Sequence, residues 1–203
     1  MDKDWNDISD LEFSERDANV LHIIDEEDLT SFTFEGLKRR LGMHPETLSR
    51  VLYRLADQGI VEKGVEGYNV TSKAKELFKA RSFDSGVPAV CLLRTLLPPD
   101  VPVQHMVSNL KGKWFGVLRW LGYSENKEGV VLKWITDDGG IIISAIFSLG
   151  HLNIDAKMLW EKDLNVALRA SYQLMGYITN LISRVESNRV AYFNRFDSYN
   201  LSA

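Results

Sequence analysis

The chain has 203 residues, 45% of them apolar and 26% charged, and a net charge of −4. That balance belongs to a globular protein with its own core rather than a disordered or fibrous one. No apolar run reaches the roughly 18 residues of a membrane span, and no basic-then-apolar leader is present. Cys91 is the only cysteine, which excludes an internal disulfide and fits a reducing, cytoplasmic setting. His22, His44, His105 and His151 are scattered without the spacing of metal ligands.

In chain order, Met1 to Phe13 is an acidic arm with Trp5, Ile8, Leu11 and Phe13 as its apolar residues. Ser14-Glu15-Arg16-Asp17 then has the S-x-x-D form of a helix start, and Val20, Leu21, Ile24 and Leu29 supply an apolar face. The acidic run Asp25–Asp28 is unfavourable at a helix C-terminus, so the helix is expected to stop before or within it.

Thr33 to Thr71 is the segment on which the rest turns. Phe34, Leu37 and Leu41 share a face at helical spacing, and Gly42 follows where a helix commonly ends in a left-handed residue. Pro45 opens a second helix, in which Leu48, Val51, Leu52 and Leu55 form a buried stripe. Gln58-Gly59 ends it, and two short strands follow about the turn Gly64–Gly67. Thr71 then caps a further helix with Ala74, Leu77 and Phe78 facing inward.

With LKRRLGMHPETLSRVLYRLADQGIVEK followed by YNVTSKAKELF, the first 80 or so residues resemble the winged helix-turn-helix domains of MarR-, ArsR- and PadR-like transcription regulators. The resemblance implies binding of double-stranded DNA by helix 44–58. Charge agrees with that expectation: residues 33–81 hold ten basic and six acidic side chains, against two and eleven in residues 1–32. A locally positive surface is what phosphate binding needs. The expected contacts are Arg50 and Arg54 to base edges or phosphate, with His44, Thr47, Ser49 and Tyr53 beside them on the same helix. Lys38, Arg39 and Arg40 are expected on backbone phosphate, and Lys63 on the hairpin. The bland alternative for each arginine is a surface ion pair, such as Glu46 with Arg50.

Asp84 to Pro88 breaks the pattern and suggests a boundary, with a DNA-binding part over 1–84 and a dimerisation or ligand-sensing part over 85–203. Ala89 to Leu97 is a short apolar segment, helix or strand, in which Cys91 is expected to act as a small hydrophobe. Val103 to Leu110 suggests a short amphipathic helix. Three strand-like runs follow at 114–123, 130–136 and 141–149, joined by turn-rich segments that include Asp138-Gly139-Gly140.

From about Ala156 to Phe193 the sequence predicts one long helix. Its stripe Leu164, Leu168, Met175, Ile178, Ile182 and Val185 extends further than a three-stranded sheet can cover, so a second copy of the chain is its expected partner. Trp114, Trp120, Trp134 and Trp160 gather near the strands, as core packing or as the lining of a small-molecule effector site.

The fold expected is therefore α+β: an N-terminal winged helix-turn-helix domain, a three-stranded antiparallel meander and a long C-terminal helix. No phosphate loop, metal motif or nucleophile elbow appears, so no enzyme activity or cofactor is expected. The function expected is a homodimeric, cytoplasmic DNA-binding transcription regulator. The alternative is a winged helix used for protein contact or assembly.

Overall fold

The computed structural model describes residues 13–80, 87–127, 129–160 and 164–200, with side chains through 184. Helix α1, Glu15–Glu26, starts at a capping box. The Ser14 hydroxyl accepts the Asp17 N–H, and the Asp17 carboxylate accepts the Ser14 N–H at 3.1 Å. After strand β1, Ser31–Phe32, the Thr33 hydroxyl caps α2, Phe34–Leu41, by accepting the Gly36 N–H at 3.1 Å. Gly42 ends α2 at φ 61°, in the left-handed region where glycine carries no Cβ penalty. Helix α3, Pro45–Asp57, follows with its proline in the first turn. The hairpin β2, Val61–Lys63, and β3, Tyr68–Val70, leads to α4, Ser72–Ala80. Strand β4, Ala89–Leu96, and helix α5, Val103–Leu110, come next. Strands β5, Leu118–Asn126, β6, Gly129–Thr136, β7, Ile141–Ser148, and β8, His151–Met158, precede the terminal helix α6, Leu164–Asn200.

The strands form one antiparallel sheet of eight in the order β2-β3-β1-β5-β6-β7-β8-β4. This overturns the expected architecture of a winged helix-turn-helix domain followed by a three-stranded meander and a helix. The short strand β1 makes the join: Ser31 pairs with Asn69 of β3 on one side and with Tyr123 of β5 on the other. The β2–β3 hairpin is thus one end of the large sheet. A two-residue strand has no periodicity to read, which is why the sequence did not reveal the join.

Two further strands extend the meander. β8 ends in Ala156–Met158, which were expected to open the long helix, and β4 pairs with β8 as the outer edge. The boundary expected near residue 84 falls at 81–86, outside the described residues.

The sheet carries a core on each face. One face packs α5 and α6 through Met106, Leu110, Leu118, Trp134, Ile143, Ile154, Leu174 and Ile178. On the other, Leu121, Ile135 and Ile142 meet Val20, Ile24, Leu37, Leu48, Leu52 and Leu55 of the N-terminal helices. The contact is close at Gly36, where a Cβ would lie 2.6 Å from the Leu121 Cα and 2.8 Å from the Trp120 carbonyl oxygen.

Helix α6 lays Ala167, Ala170, Ser171, Leu174, Ile178 and Leu181 inward. Of the stripe expected to face a second copy, Ile178 is 0% exposed within its own chain, and Met175 and Ile182 pack at the margin of that core. Leu164 is exposed and Leu168 half-buried. The Val185 side chain lies outside the described residues. From β5 to β4 the sheet has five strands rather than three, so it covers more of the helix than expected. Cys91 is exposed on the edge strand instead of packing as a small hydrophobe.

Candidate nucleic-acid interface

Helix α3 divides cleanly. Leu48, Val51, Leu52 and Leu55 are buried, so its opposite side is turned outward. Glu46, Arg50, Tyr53 and Asp57 follow i, i+4, i+7 and i+11 along that outer side, and all four are exposed. Ser49 flanks them, exposed, and Thr47 is half-buried. The Tyr53 side chain is left 75% exposed. His44, at the N-cap, is exposed and makes no side-chain cap bond.

The basic residues expected to meet DNA fall into three groups. Arg50 pairs with Glu46 at 2.6 Å, with both side chains in solvent, so a phosphate can displace the glutamate at little cost. Lys38 and Arg39 both lean on Glu35, at 2.7 and 3.6 Å, and Lys63 is exposed on β2. Arg40 and Arg54 are instead bound into the structure. Arg54 Nη2 reaches the buried Asp17 at 2.6 Å. The Arg40 side chain, 13% exposed, contacts Glu26 at 2.8 Å and Glu27 at 3.3 Å. The central line of α3 therefore carries two carboxylates to one cation, Arg50, itself paired with Glu46, and its polar surface rests on Tyr53, Ser49 and Arg50.

Helices α1 and α2, against which α3 packs, are tied to the sheet by a buried charge cluster. Lys157 of β8 meets Glu26 at 2.8 Å and Glu27 at 2.9 Å, and Lys133 of β6 meets Glu27 at 3.5 Å. Lys133 also donates to the Glu27 carbonyl oxygen. Burial alone would raise the Glu27 carboxyl, but Lys133, Lys157 and Arg40 outweigh it and hold it below its ordinary value. Burial pushes Lys133 down against the pull of Glu27. Two carboxylates thus meet three cations between α1, α2 and the sheet. The acidic run at the end of α1 was legible only as an unfavourable helix end, because two of its partners, Lys133 and Lys157, lie more than a hundred residues away and Arg40 comes from the next helix.

The aromatic set separates as well. Trp120 and Trp134 lie in the core, edge to face at 5.3 Å, while Trp114 and Trp160 are exposed. Asp138 uses its carboxylate to accept the Thr136 hydroxyl and the Gly140 N–H, as a turn requires. Among the described residues no group of three or more His, Cys, Asp or Glu is placed to hold a metal ion. No described helix is long and apolar enough to cross a membrane. No protein-family model and no curated protein matches the sequence.

Proposed function

We propose that the chain is a DNA-binding regulator of transcription, acting in the cytoplasm as a homodimer, with the outer side of α3 entering the major groove of duplex DNA. The observation that carries this reading is the contrast across α3. Four leucines and valines fix its inner side, and nothing from the described residues covers Arg50 or Tyr53, whose side chains are 72% and 75% exposed. A helix held so, after a tight turn from a second helix, presents its polar side to a groove. Arg50 and Ser49 supply donors for base edges or phosphate, and Lys38, Arg39 and Lys63 supply flanking charge. Dimerisation draws its support from Leu164, Val166 and Tyr172, which stay exposed along α6.

A titration of mixed-sequence duplex at rising salt tests the proposal. Affinity that falls steeply, with a slope set by the phosphates contacted, supports it. A second reading, contact with a protein partner, is favoured by the acidic Glu46 and Asp57 beside Tyr53, and it predicts little duplex binding even at low salt.

A further inference from the structure

A groove of about 510 Å³ opens between the first turn of α2, the β2–β3 turn and the loop that leads into β5. Its walls are Phe34, Trp114 and Trp120, and Glu35, Arg39 and Glu66 supply its charge. The volume lies in the range of small-molecule sites. Trp120 is fixed by its core contact with Trp134, whereas the Trp114 side chain is 63% exposed.

The charges differ in what they have left to offer. Arg39 is already engaged by the Glu35 carboxylate at 3.6 Å and by the Glu35 carbonyl oxygen at 3.1 Å. Glu35 is further engaged by Lys38 at 2.7 Å. Glu66 is exposed, and no described residue bonds or pairs with it. The charged group with free capacity is therefore a carboxylate that lines the same groove as an exposed indole. That indole already holds one cation: the Arg119 guanidinium carbon stands 4.7 Å from the Trp114 ring centroid, tethered by Asp137 at 2.8 Å. A tryptophan face and an adjacent carboxylate are the two elements that recognise an organic cation, through the ring quadrupole and through direct charge.

We propose that this groove is a binding site for a small organic cation, an amine or quaternary ammonium carrying an aromatic or methylated head. The cation sits against the Trp114 and Phe34 rings, with Glu66 as its counter-charge. The proposal stands apart from DNA reading, since it needs only groove residues.

Benzyltrimethylammonium is a suitable probe, with benzoate as the anion of similar shape, followed by tryptophan fluorescence and calorimetry on the full chain. Expected are saturable binding of the cation, weakening of at least about tenfold in Trp114→Ala and a smaller loss in Glu66→Gln. Binding is expected to be unchanged in Leu96→Ala, exposed on the edge strand β4 at the far end of the sheet's meander. Trp114 and Glu66 are both exposed, so folding survives either change, and circular dichroism verifies it. No saturation by about 10 mM, where any specific site would be weaker than about 3 kcal/mol, overturns the proposal. So does equal binding of benzoate, or full affinity in Trp114→Ala.

Discussion

Arg54 Nη2 lies 2.6 Å from Asp17 Oδ1, joining the last turn of α3 to the first turn of α1. Each charge sits at the helix end whose dipole favours it, an arginine at a C-terminus and an aspartate at an N-terminus. Asp17 also accepts the Ser14 hydroxyl and N–H. Burial would raise its carboxyl, yet these bonds and Arg54 hold it below its ordinary value. Arg54 is thus a clamp on the helix that carries Arg50 and Tyr53.

Replacing Arg54 by alanine leaves a buried carboxylate with its Ser14 contacts only. Because the arginine is itself nearly half exposed, solvent screening limits the loss to about 1 kcal/mol. Thermal unfolding of Arg54→Ala and Asp17→Ala checks this. The aspartate variant is expected to lose more, about 2 kcal/mol, since it also removes the capping box.

The buried cluster gives an ordered prediction. With Glu26 and Glu27 facing Arg40, Lys133 and Lys157, removal of Lys157 leaves charges balanced, whereas removal of Glu27 leaves two excess buried cations. Glu27→Gln is expected to cost about 3 kcal/mol and Lys157→Met clearly less, as chemical denaturation would show. Glu27 and Asp17 have folded-state values below their unfolded ones, 4.5 and 3.8. Their contribution is present above those values and is lost as pH falls through the lowered ones. Lys133, lowered from 10.5, adds stability as pH rises toward that value. Glu27→Gln should therefore flatten the acid limb of the stability profile.

Gly36 tests the join between α2 and β5. A Cβ there meets backbone of Trp120 and Leu121, which cannot turn aside as a side chain would. Gly36→Ala, normally helix-favouring, is expected instead to destabilise by about 1–3 kcal/mol. A rise in melting temperature would contradict the packing described.

The α-helical half was legible because its signals are local: Ser14 with Asp17, Gly42 after Leu41, and the Leu48–Leu55 stripe each act within a few residues. The three central strands were legible from their turns. β8 was not, although Leu152, Ile154, Ala156 and Met158 alternate with polar residues, because it runs on toward the helical pattern of α6. The site was legible as a helix and illegible as charge. Nothing local tells Arg50, paired in solvent, from Arg54 and Arg40, whose carboxylates come from α1 and the residue that ends it.

For α6, the structure divides the expected dimer stripe. Ile178→Glu should unfold the chain, since that side chain is buried in its own core. Leu168→Glu with Tyr172→Glu should leave a folded chain that sediments as a monomer, where the wild type is expected to sediment as a dimer. A wild-type chain already monomeric at micromolar concentration would remove homodimerisation from the proposed function.

The account rests most directly on the outer side of α3, and fluorescence anisotropy with a labelled duplex pool tests it. Wild type, Arg50→Ala with Tyr53→Ala, and Lys63→Ala are titrated at low and moderate salt. The account predicts that the double α3 variant, still folded, loses at least about 1–3 kcal/mol of binding and its preference among sequences. Lys63→Ala should weaken all duplexes alike and lower the salt slope by about one. Wild-type affinity in the double α3 variant, or no duplex binding by the wild type at low salt, would contradict it.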